Sequence, residues 1–345
     1  MNLRAVIPAG RPLLLIAPMQ DVTDLPFWRV LHRYGGPDVY FTEYFRVHGS
    51  STPEKWILDA IRRNPSGKPA IAQMIGQDIP HLVRTAELLQ RENILAIDLN
   101  IGCPAPIVCK KSSGGGLLRQ LDHLDKIIGA LRAAISGNFT LKTRIGFDAP
   151  EEFDRILDVY EKHAIDGLTV HGRTVREMYK AKVHHEWIAR AVQRLRCPVF
   201  ANGNILGVDS ARETVIQTGA AGLMIGRGAI RNPWIFDQIR EGYEQGEVRT
   251  RPTLRDLRGY IEVLYRETRP EGFSESLQVA KMKKYLNFIA QKIDPEELFL
   301  HAIRRVETER EFWRVCDLYL CRDEPFEPDG GALVNAGNPR HDCRL

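Results

Sequence analysis

Ala96-Ile97-Asp98-Leu99-Asn100-Ile101-Gly102, running into Cys103-Pro104, is a short apolar segment that stops on polar and glycine residues. Seven segments of the same kind accompany it, at residues 13–19, 39–44, 70–76, 140–146, 167–173, 199–205 and 222–228. Many of their residues are β-branched, and most spacings are roughly 25 to 40 residues, enough for a helix and two loops. Helical patterns lie between several of them, at 81–91, 121–135, 151–163, 187–195 and 210–218. Near-continuous apolar strands separated by helices imply a parallel sheet buried on both faces. Eight such units in about 230 residues fit a closed (β/α)8 TIM barrel better than an open doubly wound sheet. No Gly-x-Gly-x-x-Gly follows the first segment, which counts against a Rossmann sheet.

The expected fold class is α/β: a barrel over residues 1–240, then a small C-terminal helical domain over 253–322. Residues 241–252 are polar, carry two glycines and a proline, and read as a linker. Helices are expected at 254–267, 276–292 and 295–319, and 323–345 reads as a flexible or surface-lying tail. The 345 residues, 43% hydrophobic and 27% charged, suffice for a sizeable core. A net charge of +4 is compatible with a polyanionic partner without requiring one. The six cysteines form no Cys-x-x-Cys pair and no zinc-type cluster, so reduced thiols in a cytoplasmic protein and no metal are expected. The N-terminal apolar stretch is too short to span a membrane and reads as the first strand. A monomer is expected.

In a (β/α)8 barrel the chemistry gathers at the C-terminal ends of the strands. Those positions hold Pro18-Met19, Gln73, Asn100 with Cys103, Lys142 with Arg144, His171-Gly172-Arg173, Asn202-Gly203-Asn204 and Gly226-Arg227. Glycine turns after the last two strands form the usual phosphate site of this architecture, and Arg227 adds a charge-assisted donor. Lys142 suits a Schiff-base nucleophile, a phosphate clamp or a cation beside an electron-rich cofactor. A buried ion pair is its structural alternative. Cys103 overlooks the mouth, and Asn100 can offer a donor and an acceptor to a base edge. The following loop, Cys109-Lys110-Lys111-Ser112-Ser113-Gly114-Gly115-Gly116, suits a lid that orders with substrate, or a plain surface loop.

The ordered set of motifs resembles the tRNA-dihydrouridine synthases over roughly residues 13 to 320. It comprises Ala17-Pro18-Met19 with Thr23-Asp24, Thr42-Glu43, Gln73-Met74-Ile75-Gly76 and Asp98-Leu99-Asn100-Ile101-Gly102-Cys103-Pro104. It continues through Lys142-Thr143-Arg144-Ile145-Gly146, His171-Gly172-Arg173-Thr174, Ala201-Asn202-Gly203 and Met224-Ile225-Gly226-Arg227-Gly228-Ala229. The resemblance implies an FMN enzyme, reduced by NADPH, that passes hydride to C6 of a flipped-out uracil in tRNA. Cys103 matches the residue that protonates C5. Pro18, Met19, Gln73, Lys142, His171, Asn202, Gly203, Gly226 and Arg227 would hold FMN, with Asn204 beside them. Many members of the family carry an acidic residue where this chain has Asn204. Asn100, Arg144 and Arg173 would meet the substrate, and Lys281 and Lys284 of the helical domain would follow tRNA phosphates.

Three other functions share parts of this pattern. An FMN barrel reducing a free pyrimidine or enone would use the same mouth and leave the helical domain without a role. A Schiff-base aldolase would use Lys142 and bind no flavin. A non-catalytic RNA-binding barrel has no need of the polar strand ends.

Overall fold

Residues 2–328, which the computed structural model describes, contain nine strands that all pair in parallel. They are β1 (Leu13–Ile16), β2 (Tyr40–Phe41), β3 (Phe45–Arg46), β4 (Ala70–Ile75), β5 (Ala96–Ile101), β6 (Asn138–Arg144), β7 (Gly167–His171), β8 (Val199–Asn202) and β9 (Gly222–Ile225). The order β1-β9-β8-β7-β6-β5-β4-β2 sets the last strand beside the first. A bridge between Leu15 and Val39 closes the ring. This is the expected barrel, with one irregular stave. Tyr40 and Phe41 face Ala70 and Ile71, while Phe45 and Arg46 face Met74 and Ile75. Thr42, Glu43 and Tyr44 therefore stand opposite only Ala72 and Gln73. The extra residue makes a bulge that splits the expected second strand in two.

Strand alternation explains why the segments look apolar throughout. Leu13, Leu15, Val39, Phe41, Ile71, Ala96, Phe200 and Met224 cluster inside the ring, with Leu3 beneath them. Leu14, Ile16, Ala72, Leu99, Leu141, Val170 and Leu223 belong to the larger core shared with the helices. Leu3 closes the floor so tightly that a Cβ on Gly167 would lie 2.7 Å from its Cδ2. The lumen is thus apolar at its floor and polar toward its mouth.

Local chemistry sets the helix boundaries. Asp24 caps Leu25–Arg33 through the Phe27 N–H, with Pro26 in the first turn, where no donor is missed. The helical domain comprises Leu254–Glu267, Glu275–Ile289, Leu298–Ile303 and Glu309–Leu320. The single helix expected over 295–319 is broken because Thr308 starts a new one. Its hydroxyl accepts the Glu311 N–H at 3.2 Å, and Glu311 in turn accepts the Thr308 N–H at 3.3 Å. The domain is docked on the barrel by Tyr285 stacked on Phe27 at 6.0 Å and by the Tyr260 hydroxyl, which donates to Ile230 O at 2.7 Å.

Both expected irregular segments carry more structure than their composition suggests. The helix Ile235–Glu244 enters the supposed linker because Gly242 serves close packing: a Cβ there would meet Val208 at 2.6 Å. Residues 323–328 of the supposed tail are pinned, with the Phe326 N–H donating to Pro252 O at 2.8 Å and Asp323 paired with Arg255 at 2.7 Å. The remainder of that tail lies outside the described residues. Among the described residues no helix is long and apolar enough to cross a membrane.

Opposite the mouth, Asp38 joins the start of the second stave to Arg11 at 2.6 Å and Arg240 at 3.1 Å. Burial alone would raise this carboxyl, but the Arg11 hydrogen bond, the Arg240 charge and the Leu14 N–H together hold it below the usual range. The stabilisation is therefore present above the ordinary carboxylate pKa and is lost as the pH falls through the depressed value. Asp38→Ala, which leaves Arg11 with Glu244 and Arg240 with Asp237, should cost about 1–3 kcal/mol in chemical denaturation at neutral pH. The gap between wild type and variant should narrow in acid.

Candidate active site

Parallel register stacks the polar strand ends into rows. Asn100 lies beside Lys142, and Lys142 beside Thr169. One step higher, Arg144 lies beside His171, and His171 beside Asn202. Gln73, Asp98 and Thr140 form the row below. These rows bring together side chains of five strands, β4 to β8, that are far apart in the chain.

Cys103 sits two residues past β5 and is held from several sides. Its N–H donates to Asn100 Oδ1 at 2.9 Å, and its carbonyl accepts the Gly115 N–H at 3.0 Å and the Cys109 thiol at 3.5 Å. Burial pushes the Cys103 thiol above its ordinary value, and the Ala105 N–H with the charges of Arg144, Lys142 and Arg46 offsets this only in part. At neutral pH it is a protonated acid.

The glycine run beyond it is not the open lid that its composition suggests. Residues Pro106–Lys110 form a helical turn, and Gly114–Arg119 a 3-10 segment whose three glycines are buried. Gly114 has φ +54°, and a Cβ on it would lie 3.0 Å from Cys103 Cβ; one on Gly115 would lie 2.9 Å from Cys103 O and 2.6 Å from Val175. Only glycine can form this seat. Lys110 and Lys111 remain exposed.

Positive charge dominates the mouth. Burial first, then Arg144, brings the Lys142 ammonium down to about 8, and its Nζ reaches Asn202 Oδ1 at 3.4 Å. Burial, then Arg227 and Arg144, lowers Arg173 to about 10. His171 is held well below its ordinary value by burial and then by Arg144, Lys142, Arg173 and Arg227. Arg173 Nη1 donates to His171 Nε2 at 3.3 Å, so the neutral ring carries its proton on Nδ1. Such a concentration of cations calls for an anionic, electron-rich ligand.

The other expected residues divide by what their atoms already do. Asn202 donates to Met224 O at 2.8 Å, and Gly203 precedes Asn204, which is exposed at φ +50° and accepts from Arg227 at 3.4 Å. Pro18 and Met19 are half-buried at the end of the first stave, and a Cβ on Gly226 would lie 3.5 Å from Met19 Sδ. Gln73 is wholly buried and bonds Asp98 and Asn100. Asn100 spends its oxygen on Gly102 and Cys103 and one N–H on Gln73, leaving a single N–H for a base.

Arg144, expected to meet the substrate, is committed to the backbone around it. It is buried, with Nε on Gly102 O at 2.9 Å and Nη1 on Thr174 O and Met178 O at 2.7 Å each. Arg173 likewise spends Nε on Ala181 O. Lys281 is also committed: its ammonium donates to Thr268 O at 2.7 Å, closing the end of Leu254–Glu267. Lys284 is exposed. Reading the strand ends missed Tyr179, 42% exposed, whose ring has Arg144 at 5.3 Å and Arg227 at 5.2 Å. Its only sequence signal is one aromatic in the basic loop after the His171 strand. Asp98 and Glu43 were quoted within motifs without a role. Glu43 is buried, accepts the Val22 N–H at 3.2 Å and is pushed up to about 8, chiefly by burial.

A family model described as dihydrouridine synthase (Dus) matches residues 15–322. A tRNA-dihydrouridine synthase B of Vibrio vulnificus is 34% identical over 305 residues, covering 85% of this chain and 91% of its own length. A tRNA-dihydrouridine(16) synthase of Neisseria meningitidis is 27% identical over 320 residues, covering 90% and 96%. Among solved structures, histamine dehydrogenase from Rhizobium sp. 4-9 superimposes with a TM-score of 0.52 at 14% identity, covering 74% of this chain and 48% of that one. At that identity the likeness concerns the barrel fold alone.

The seat of Cys103 gives a direct test. Gly115→Ala forces a methyl group into Val175 and the Cys103 carbonyl, and should cost about 1–3 kcal/mol of stability by overpacking. Peptide mapping after brief iodoacetamide treatment should show altered modification at Cys103, and Gly137→Ala, where a Cβ meets nothing within 4 Å, should match wild type.

Proposed function

Since the chain belongs to the dihydrouridine synthase family, we propose that it reduces uridines in tRNA to 5,6-dihydrouridine, using FMN held in the barrel mouth and NADPH as reductant. The observation that carries the reading is a protonated Cys103 thiol beside four cations, Lys142, Arg144, Arg173 and Arg227, that outnumber the carboxylates acting on them, Asp98 and Glu177. That donor set fits a flavin mononucleotide. The turns at Gly203 and Gly226, with Arg227, would hold its phosphate, and Lys142, Asn202 and neutral His171 would face the ring. Pro18, Met19 and Gln73 would line the same cavity, and Asn204 would stand at its rim.

Bound FMN would supply hydride chemistry, and the chain's own residues do the rest. Lys142 would offer a cation to the charge that builds up on the ring during reduction. Hydride at uracil C6 leaves enolate-type charge beside the C4 carbonyl, which needs a proton at C5. Cys103 gives that proton, and its raised pKa keeps it loaded at neutral pH. The remaining Asn100 N–H would meet the base edge, while Arg144 and Arg173 close the walls. A base paired or stacked in folded tRNA reaches such a recessed thiol only when extruded. Lys284 would follow tRNA phosphates from the helical domain.

Purified protein should carry flavin absorbance through gel filtration. With NADPH and unmodified tRNA it should yield a nucleoside two mass units heavier than uridine; reduction of free uracil with tRNA unchanged would overturn the proposal. Cys103→Ala should keep flavin and NADPH oxidation but lose about 10²-fold or more of tRNA reduction. Because Cys103 acts as an acid with a raised pKa, single-turnover tRNA reduction should persist to mildly alkaline pH. It should weaken first near pH 8, where Lys142 loses its charge, and fall again as the pH rises through the thiol's elevated value.

A further inference from the structure

Asp98 is completely buried on β5 and has no part in the chemistry above. Its Oδ1 accepts the Thr140 hydroxyl at 2.7 Å, and its Oδ2 accepts Gln73 Nε2 at 2.8 Å. Gln73 Oε1 accepts Asn100 Nδ2 at 2.8 Å. Asn100 Oδ1 then accepts the N–H groups of Gly102 at 3.1 Å and Cys103 at 2.9 Å. One unbroken row of hydrogen bonds therefore runs from a buried carboxylate to the backbone of the proton donor.

Burial pushes the Asp98 carboxyl up to about 7, against the hydrogen bonds from Thr140 and Gln73 and the charge of Lys142. Once ionised it only accepts, whereas each carboxamide has a donating and an accepting end that exchange places on a half-turn. With Asp98 at the head of the row, Gln73 must turn its NH2 to Asp98 and its oxygen to Asn100. Asn100 must then turn its oxygen to Cys103. The reverse orientation would set an NH2 against the Cys103 N–H in a buried site. We propose that Asp98 is a positioning residue: it fixes the polarity of Gln73 and Asn100 and, through them, the place of the Cys103 thiol in the mouth. The catalytic consequence rests on the function proposed above; the polarity itself does not.

Substitution can weaken and then restore this polarity without emptying the lumen. In Asp98→Asn the Thr140 hydroxyl can donate to the new amide's oxygen, which turns its NH2 to Gln73 and sets the row against the Gly102 and Cys103 N–H groups, or it can accept from that NH2, which gives up its own donation; either way the hold on Asn100 is weakened. In the double variant Asp98→Asn/Gln73→Glu, a carboxylate at position 73 accepts from both neighbours and restores the Asn100 orientation. Thr140→Val removes a hydrogen bond from the same carboxylate but leaves the polarity intact.

The readout is the rate of iodoacetamide alkylation at Cys103 in the full-length protein as purified, followed by peptide mapping. The rate should change about tenfold in Asp98→Asn, as for a lost buried hydrogen bond, and stay within about twofold of wild type in Thr140→Val and in the double variant. In tRNA reduction, Asp98→Asn should lower kcat and leave KM for tRNA unchanged. Wild-type alkylation in Asp98→Asn, or a double variant that stays at the single variant's rate, would refute the proposal. If Asp98→Asn does not fold, recovery of a folded double variant alkylating at the wild-type rate upholds it, and a double variant with a shifted rate overturns it. Wild-type protein that leaves tRNA unchanged sinks the functional reading alone, because the alkylation series still decides the polarity.

Discussion

Closing a parallel sheet on itself leaves the inward face of every strand without water, and that constraint organises the molecule. Each inward side chain must be apolar or find its hydrogen bonds inside the ring. The floor takes the first option, with Leu13, Leu15, Phe41, Ile71 and Met224 packed over Leu3. The upper lumen takes the second, with Gln73, Asp98, Asn100 and Thr140 bonded to one another. Polar chemistry can therefore sit deep in the barrel only because its members are partners before any ligand is considered.

The same constraint shapes the electrostatics of the mouth. Charged groups there are poorly hydrated, so cations that crowd together lower one another's proton affinity, as Arg173 and Lys142 show. Burial acts with opposite sign on a thiol: it raises Cys103 and keeps the proton on sulfur despite three nearby cations. One environment thus produces a neutral histidine, a weakened lysine and a strong hold on the cysteine proton.

Much of this was legible in the sequence because periodicity survives translation into structure. The eight apolar segments became staves, and the polar residues at their ends met at one mouth. What was not legible depends on partners distant in the chain. The split of the second stave turns on pairing with β4, which places three residues opposite two. Gly114–Gly116 looked like a lid because composition cannot show that Cys103 and Val175 leave no room for a Cβ. That Lys281 donates to Thr268 O could not be read from the sequence, because the acceptor lies 13 residues away at the end of another helix. Composition also understated 323–328, whose one buried aromatic, Phe326, is enough to fasten the strand-like end to Pro252 and Thr253.

Arg144 shows how the barrel converts a structural demand into a functional one. Three backbone carbonyls, of Gly102, Thr174 and Met178, converge on its guanidinium from the loops after β5 and β7. A lysine could not meet three acceptors in one plane, whereas the guanidinium fork does so and still presents its face to Tyr179. The residue beside the acid, Gly102, is thereby tied to the loop that carries Tyr179. Cys103 is consequently fixed from three directions: Asn100 holds its N–H, Gly115 its carbonyl and Arg144 the residue before it. A thiol tied on every side but that of its sulfur keeps its geometry when a ligand enters, so binding energy need not be spent on ordering it.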